Sequence, residues 1–245
     1  MIYLAYTILG LAPSFIWLLF YLRKDRHPEP KRMVLKVFLW GALTGPVAIL
    51  LQILSRWSCA PTFEWSSFIA TLGQNDYRSF LNVIIFAPII EEYLKYAVVK
   101  WQVLKNPVFD EPLDAMLYLI ISALGFAAVE NLLNIFLAPN LTLELAVSQS
   151  ITRFLSATFL HTLCSGLFGY FVALSLLNIK KRRLFFWSGL CLAIAFHGLY
   201  NYLAWLLDVN KFFALALAVL LAALGALISW QFYSLKKKLS ICKLT

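Results

Sequence analysis

The chain has 245 residues, of which 62% are hydrophobic and only 13% are charged, and its formal net charge is +9. A soluble domain carries about a quarter charged residues, so this composition excludes a water-soluble globular protein and favours one embedded in the lipid bilayer. The basic excess does not indicate a nucleic-acid partner, because no basic patch is interleaved with exposed aromatic residues.

Repeated apolar runs of about 20 residues predict transmembrane helices. We predict an all-α fold, a polytopic membrane helix bundle of about seven transmembrane helices, forming a single domain over residues 1–245. The predicted spans cover residues 2–22, 37–54, 80–101, 114–137, 149–177, 184–207 and 212–235. The fifth span is too long to cross a bilayer at right angles, so we expect it to tilt or to protrude.

Basic residues are unevenly distributed over the predicted loops. Sixteen Lys and Arg residues fall on one side, within residues 23–36, 100–105, 180–183 and 236–243, whereas three fall on the other. Because Lys and Arg are enriched in cytoplasmic loops, we expect the N-terminus outside and the C-terminus in the cytoplasm. The segment 55–78, on the outer side, is expected to lie at the membrane surface.

Strongly polar side chains interrupt four consecutive spans, the third to the sixth. A charged group at the bilayer centre costs about 3 kcal/mol, so such residues turn inward and commonly mark a function. At 1.5 Å of rise per residue, the glutamates and histidines among them lie within about 8 Å of one level, which predicts a catalytic pocket among helices three to six. The polar residues are Glu91, Glu92, Lys95, Glu130, Asn131, Arg153, His161, His197 and Asn201.

Each of these residues also has a purely structural explanation. A lone intramembrane histidine commonly forms a hydrogen bond across helices. Lys95 is three and four residues from two glutamates, so either pair could lock a buried interface, and Arg153 could extend to water. The combination at one depth favours a functional pocket over several unrelated contacts.

Two chemistries fit these side chains. In the first, Glu91 or Glu92 removes a proton from water, which attacks a peptide carbonyl, and His161 or the His197–Asn201 pair stabilises the oxyanion. In the second, Glu92, His161 and His197 bind zinc, which lowers the pKa of its bound water. Two imidazoles and a carboxylate with one open position are typical of hydrolytic zinc sites. The sequence leaves the cofactor open between zinc and none.

The motifs resemble those of the PrsW family of bacterial intramembrane proteases, described as glutamic-type or metalloproteases. E-E-Y-L-K at 91–95, G-F-A-A-V-E-N at 125–131, R-F-L at 153–155, H-T-L at 161–163 and H-G-L-Y-N at 197–201 occur in the order and spacing of that family, over about residues 80–205. The resemblance implies that the catalytic residues are Glu91, Glu92, Glu130, His161 and His197. Supporting roles are expected for Lys95, Asn131, Arg153 and Asn201.

Members of this family cut membrane-anchored anti-sigma factors and so start an envelope-stress response. The resemblance therefore implies a protease of the bacterial cytoplasmic membrane whose substrate is a single-pass membrane protein. The related CAAX prenyl proteases have an arginine one residue after the position of Lys95 and a phenylalanine at the position of Ala157, so a prenylated substrate is not expected.

Two other functions fit the same residues. In a proton- or ion-coupled transporter, the Glu/Lys/His cluster would act as a relay. In a noncatalytic adaptor or immunity protein, the same groups would only fix the packing of helices. Cleavage in detergent, where no membrane potential exists, distinguishes the protease from both.

Overall fold

The structure is a computed structural model that describes residues 2–25, 27–58, 81–207 and 209–237, without the side chains of residues 56–58. Residues 59–80, which include most of the segment expected at the membrane surface, lie outside the described residues. The described residues form eight α-helices and no strand. The helices are α1 (Ile2–Leu22), α2 (Lys31–Ser58), α3 (Ala87–Gln102), α4 (Pro112–Phe136), α5 (Leu143–Leu155), α6 (Ala157–Leu177), α7 (Arg182–Leu206) and α8 (Phe213–Lys236).

The predicted membrane helix bundle is confirmed. Among the described residues, six helical segments are long and apolar enough to cross a membrane, and they match every predicted span except the third. The third span consists of a π-helical turn, Asn82–Phe86, followed by α3, and at 1.5 Å per residue the two together are about 30 Å long. Buried charged residues on α3 distinguish it from the apolar segments.

The fifth predicted span is broken and is not one continuous tilted helix. α5 ends at Leu155 and α6 begins at Ala157, and Ser156 between them has φ −125° and ψ −92°. The Ser156 hydroxyl donates to the carbonyl of Thr152 at 2.6 Å, a local bond that competes with regular helix pairing. The break divides the polar residues of this span between two helices.

The central helix of the bundle is α4. Every residue from Pro112 to Ala128 is buried, and α4 packs against α1, α2, α3 and α6. It begins with a capping box formed by Glu111 and Asp114, which satisfies backbone N–H groups at the helix start. Only 22% of the residues in the apolar stretch of α8, and 28% of those in the apolar stretch of α1, are buried. These two helices are therefore peripheral.

Two glycines allow α2 and α4 to cross at close range. A Cβ atom added to Gly125 would lie 2.0 Å from the carbonyl oxygen of Phe38, and one added to Gly41 would lie 2.2 Å from that of Ser122. Small residues at a crossing let two membrane helices approach backbone to backbone. This contact therefore determines where the second half of α2 lies against the bundle.

We expect Gly125→Ala to lower the free energy of unfolding by about 1–3 kcal/mol, because α2 and α4 must separate to admit the methyl group. Gly225→Ala on α8 is the matched control, since its Cβ would lie 3.4 Å from the Phe159 ring, in ordinary contact. Its effect should stay within about 0.5 kcal/mol. Reversible unfolding in detergent measures both variants, and equal losses would contradict the importance of this crossing.

Candidate active site

Glu92 lies at the centre of a buried polar network and uses both carboxylate oxygens. Its Oε1 accepts hydrogen bonds from Lys95 Nζ at 2.8 Å and from His197 Nδ1 at 2.9 Å, and its Oε2 accepts one from Ser165 Oγ at 3.0 Å. Because an ionised carboxylate can only accept, Nδ1 of His197 carries the proton. The contacts of Glu92 connect α3, α6 and α7.

Lys95 is completely buried, and its ammonium group contacts several site residues. Its Nζ lies 2.8 Å from Glu92 Oε1 and 3.7 Å from Glu91 Oε2, so both pairings predicted from helical spacing occur. The same atom lies 2.9 Å from His161 Nδ1 and 4.5 Å from the centroid of the Phe126 ring. These contacts offset the loss of hydration of a charge inside the bundle.

Glu130 joins the network through His161. The Nε2 atom of His161 lies 2.7 Å from Glu130 Oε2, and Arg153 Nη2 donates to the same oxygen at 2.9 Å. Arg153 Nε also donates to Asn131 Oδ1, and the Asn131 amide donates to Thr158 Oγ1 at 3.0 Å. The side chain of Glu130 is 33% exposed, so the network reaches accessible space at this end.

Glu91 has different surroundings from Glu92. Gln52 Nε2 donates to its Oε1 at 3.2 Å, whereas its Oε2 is buried and has no hydrogen-bond partner among the described residues. This oxygen lies 3.8 Å from His197 Nε2. A buried oxygen without a hydrogen bond is unfavourable, so Glu91 Oε2 is a candidate metal ligand or proton acceptor.

Glu91, His161 and His197 could hold a metal ion together. Each offers one ligand atom, and these atoms lie within 4.8 Å of one another. The sequence motifs predict Glu92 as the carboxylate ligand, whereas the structure brings Glu91 to this group. Both oxygens of Glu92 already accept hydrogen bonds from other side chains. Two imidazoles and one carboxylate suit zinc, and Oε2 of Glu91, to which no described residue donates a hydrogen bond, supplies a donor.

The structure brings all but one of the predicted site residues into this network. The exception is Asn201, whose Nδ2 donates to the carbonyl of Val83 at 2.8 Å. Val83 belongs to the π-helical turn before α3. Asn201 therefore supports the start of α3 and does not contact the glutamates or histidines through this bond.

Sequence reasoning missed three polar partners of the site, namely Gln52, Thr158 and Ser165. Ser165 follows His161 by four residues on α6, and this spacing on one helix face was a usable signal. Thr158 precedes His161 by three residues on the same helix. Nothing in the spacing of α2 indicated Gln52, because its place depends on the crossing with α4.

A cavity of about 480 Å³ opens beside the network, between α2, α4 and α5. Glu91, Glu130 and Arg153 line it, together with residues 137–139 just after α4. The volume is typical of ligand-binding pockets. The cavity differs from the pocket predicted among helices three to six, because its lining includes α2, which the Gly41–Gly125 crossing brings close to α4, and no residue of α6 or α7. We call this cavity the cleft.

Comparison with known proteins defines the class to which this arrangement belongs, a membrane-embedded peptide hydrolase. The family described as PrsW family intramembrane metalloprotease matches residues 29–227. The chain belongs to this PrsW family, so the resemblance in the sequence motifs is confirmed. The family match, over residues 29–227, extends beyond both ends of the region that carries the motifs, residues 80–205.

Several relatives carry the name Protease PrsW. The one from Geobacillus kaustophilus (strain HTA426) is 30% identical over 196 residues, which are 79% of this chain and 77% of the relative. That from Clostridioides difficile (strain 630) is 27% identical over 201 residues, 80% of this chain and 77% of the relative. That from Bacillus subtilis (strain 168) is 26% identical over 198 residues, 79% and 80% of the two chains. No solved structure matches the chain.

Proposed function

We propose that this protein is an intramembrane endopeptidase that hydrolyses a peptide bond in a membrane-anchored regulatory protein. The supporting observation is that Glu91, Glu92, His161 and His197 meet in buried surroundings beside an open cleft. Membership of a protease family favours hydrolysis over transport. We treat residues 1–245 as one integral-membrane protease domain with its core motifs at 80–205.

We assign a divalent metal ion, zinc by its donor set, to Glu91, His161 and His197. Bound there, it would act as a Lewis acid that polarises the peptide carbonyl and makes water a stronger acid. Glu92 holds the Nδ1–H group of His197 at 2.9 Å and so directs Nε2 towards Glu91. A carboxylate on the second nitrogen is the usual support of a metal-binding histidine.

Glu130 supports His161 in the same manner. It holds Nε2 at 2.7 Å, which leaves Nδ1 of His161 directed at Lys95 Nζ. Lys95 has Glu92 as a second partner, so it can leave Nδ1 available to an ion. With neutral histidines, three glutamates face two cations, Lys95 and Arg153, and the remaining negative charge favours a bound cation.

The metal-free route assigns the proton transfer to Glu91. Its Oε2 has no hydrogen-bond partner among the described residues and Glu91 lines the cleft, so this oxygen is placed to take a proton from water. In that route His161 or His197 would donate to the oxyanion as an imidazolium, because the single N–H of each neutral ring is directed at Glu130 or Glu92. The two routes use the same residues and differ in their dependence on metal.

By resemblance, we propose a single-pass membrane protein of the anti-sigma-factor type as the substrate, in the bacterial cytoplasmic membrane.

We place the N-terminus outside and the C-terminus in the cytoplasm. Lys236 Nζ donates to the carbonyl of Lys24, so the basic ends of α1 and α8 lie together, which supports this orientation. Residues 137–139 of the cleft follow the opposite end of α4 from its capping box, consistent with a cut near the outer face.

Cleavage by purified protein in detergent tests this function, since no membrane potential is present there to drive transport. We expect the wild type to cut a single-pass substrate. Removal of metal by a strong chelator should lower the rate at least about 100-fold, and added zinc should restore it. A metal-free protein with the full rate would assign the chemistry to Glu91 as a base. A wild type that cuts no single-pass protein would contradict the proposed function.

A further inference from the structure

Three side-chain amides line the cleft, those of Gln52 on α2, Asn134 on α4 and Gln149 on α5. The Oε1 atom of Gln149 is buried and has no hydrogen-bond partner among the described residues. A carboxamide offers both acceptor and donor positions, which makes it complementary to the N–H and C=O groups of a peptide bond. Gln52 also contacts Glu91, so this one amide lies directly beside the candidate reacting centre, and the other two line the same cleft.

A membrane-spanning substrate has to be unwound before it can be cut. Inside a bilayer a peptide segment is helical, because each N–H and C=O group is then paired within the segment. The carbonyl to be attacked is covered by this pairing. After unwinding, the same groups lack partners in apolar surroundings, which is unfavourable. A site that cuts such a segment therefore needs polar groups that pair with the main chain.

The cleft combines such groups with small apolar walls. Gly45 and Ala48 on α2 and Val129 on α4 line the cleft, and Gly45 packs against Val129, since a Cβ atom on Gly45 would lie 3.0 Å from Val129 Cγ1. These walls offer no charge to a substrate side chain. The charged side chains of the lining are those of Glu91, Glu130 and Arg153, which belong to the buried polar network.

We propose that the cleft binds an unwound segment of a membrane-spanning substrate through the main chain, with Gln149 Oε1 accepting a hydrogen bond from a peptide N–H group. Asn134, which lines the cleft from α4, binds the main chain in the same way. This inference rests on the proposed function. It implies that a substrate is selected by how readily its helix opens, through glycine or β-branched residues, more than by individual side chains.

The test uses synthetic peptides with a single span of about 20 apolar residues and a central glycine-containing segment. In each peptide, one amide near the cut bond is replaced by an ester, which cannot donate. At one position, the ester should lower kcat/KM of the wild type by about threefold to tenfold, mainly through KM. Gln149→Met should lower kcat/KM similarly with the all-amide peptide and should be insensitive to that ester.

Gln231→Met on α8 is the matched control. Gln231 is also buried with an unpaired Oε1 among the described residues, but it does not line the cleft. This variant should keep the wild-type kcat/KM and the full ester effect. A loss equal to that of Gln149→Met would overturn the proposal.

Full ester sensitivity in Gln149→Met would overturn the inference while leaving the proposed hydrolysis intact. A wild type that cuts none of the peptides would overturn both. If Gln149→Met does not fold, Asn134→Leu, at an exposed position of α4, is measured in the same way. Loss of sensitivity to one ester in that variant supports main-chain binding, and unchanged sensitivity at every position overturns it.

Discussion

Replacing Glu91 with glutamine should reduce peptide hydrolysis by about 10²- to 10⁴-fold. Glutamine preserves the size of the side chain but removes the negative charge of the carboxylate whose Oε2 lies 3.8 Å from His197 Nε2 and 3.7 Å from Lys95 Nζ. The variant therefore loses a candidate ion ligand and a candidate proton acceptor. Steady-state kinetics of the purified protein and elemental analysis of its metal content measure the two losses separately.

Glu92→Gln should behave differently, because Glu92 acts on His197 and Lys95. Loss of such a supporting carboxylate weakens metal affinity about 10- to 100-fold, so excess zinc should recover part of the activity of this variant but not that of Glu91→Gln. Glu144→Gln, at an exposed position in the first turn of α5, is the control and should match the wild type. If excess zinc restores activity to Glu91→Gln but not to Glu92→Gln, the metal ligand is Glu92 and the assignment to Glu91 is wrong.

Replacing Lys95 with methionine should lower the free energy of unfolding by about 3–5 kcal/mol, because it leaves a buried carboxylate without its cation. Lys95 has no exposed surface and contacts Glu92 at 2.8 Å. Unfolding in detergent, followed by circular dichroism or by resistance to protease, measures the loss.

Two companion variants test the cause of that loss. Lys100→Met removes an exposed charge from the last turn of the same helix and should change stability by less than about 0.5 kcal/mol. Lys95→Met combined with Glu92→Gln should be more stable than Lys95→Met alone, because the unpaired charge is gone. If the double variant loses as much free energy of unfolding as Lys95→Met and Glu92→Gln together, Lys95 acts mainly through packing.

The length and apolarity of the segments predicted most of the fold. The predicted span 114–137 agrees with α4, Pro112–Phe136, to within two residues, because a long apolar run has one stable solution in lipid. The break at Ser156 was not predicted, since neither proline nor glycine occurs near it to mark the end of a helix. It depends on local bonding and on how α5 and α6 pack.

The depth of the polar residues in their spans predicted which of them form the network. It did not predict which side chains contact one another within it. Glu91 and Glu92 point about 100° apart on a helix, and the rotation of α3 decides which nitrogen of His197 each of them faces. That rotation depends on contacts with α2, α6 and α7. The same dependence explains why Gln52 was missed and why Asn201, four residues after His197, bonds to Val83 instead.

The charges buried on α3 have a consequence for biogenesis. Each charged residue at the centre of a nascent membrane segment costs about 2.5–3.5 kcal/mol during insertion, and α3 carries Glu91, Glu92 and Lys95 there. Its partners His161 and His197 belong to α6 and α7, which leave the ribosome later. The contacts with these later helices offset part of that cost, so we expect stable insertion of α3 to be coupled to assembly of the reactive centre.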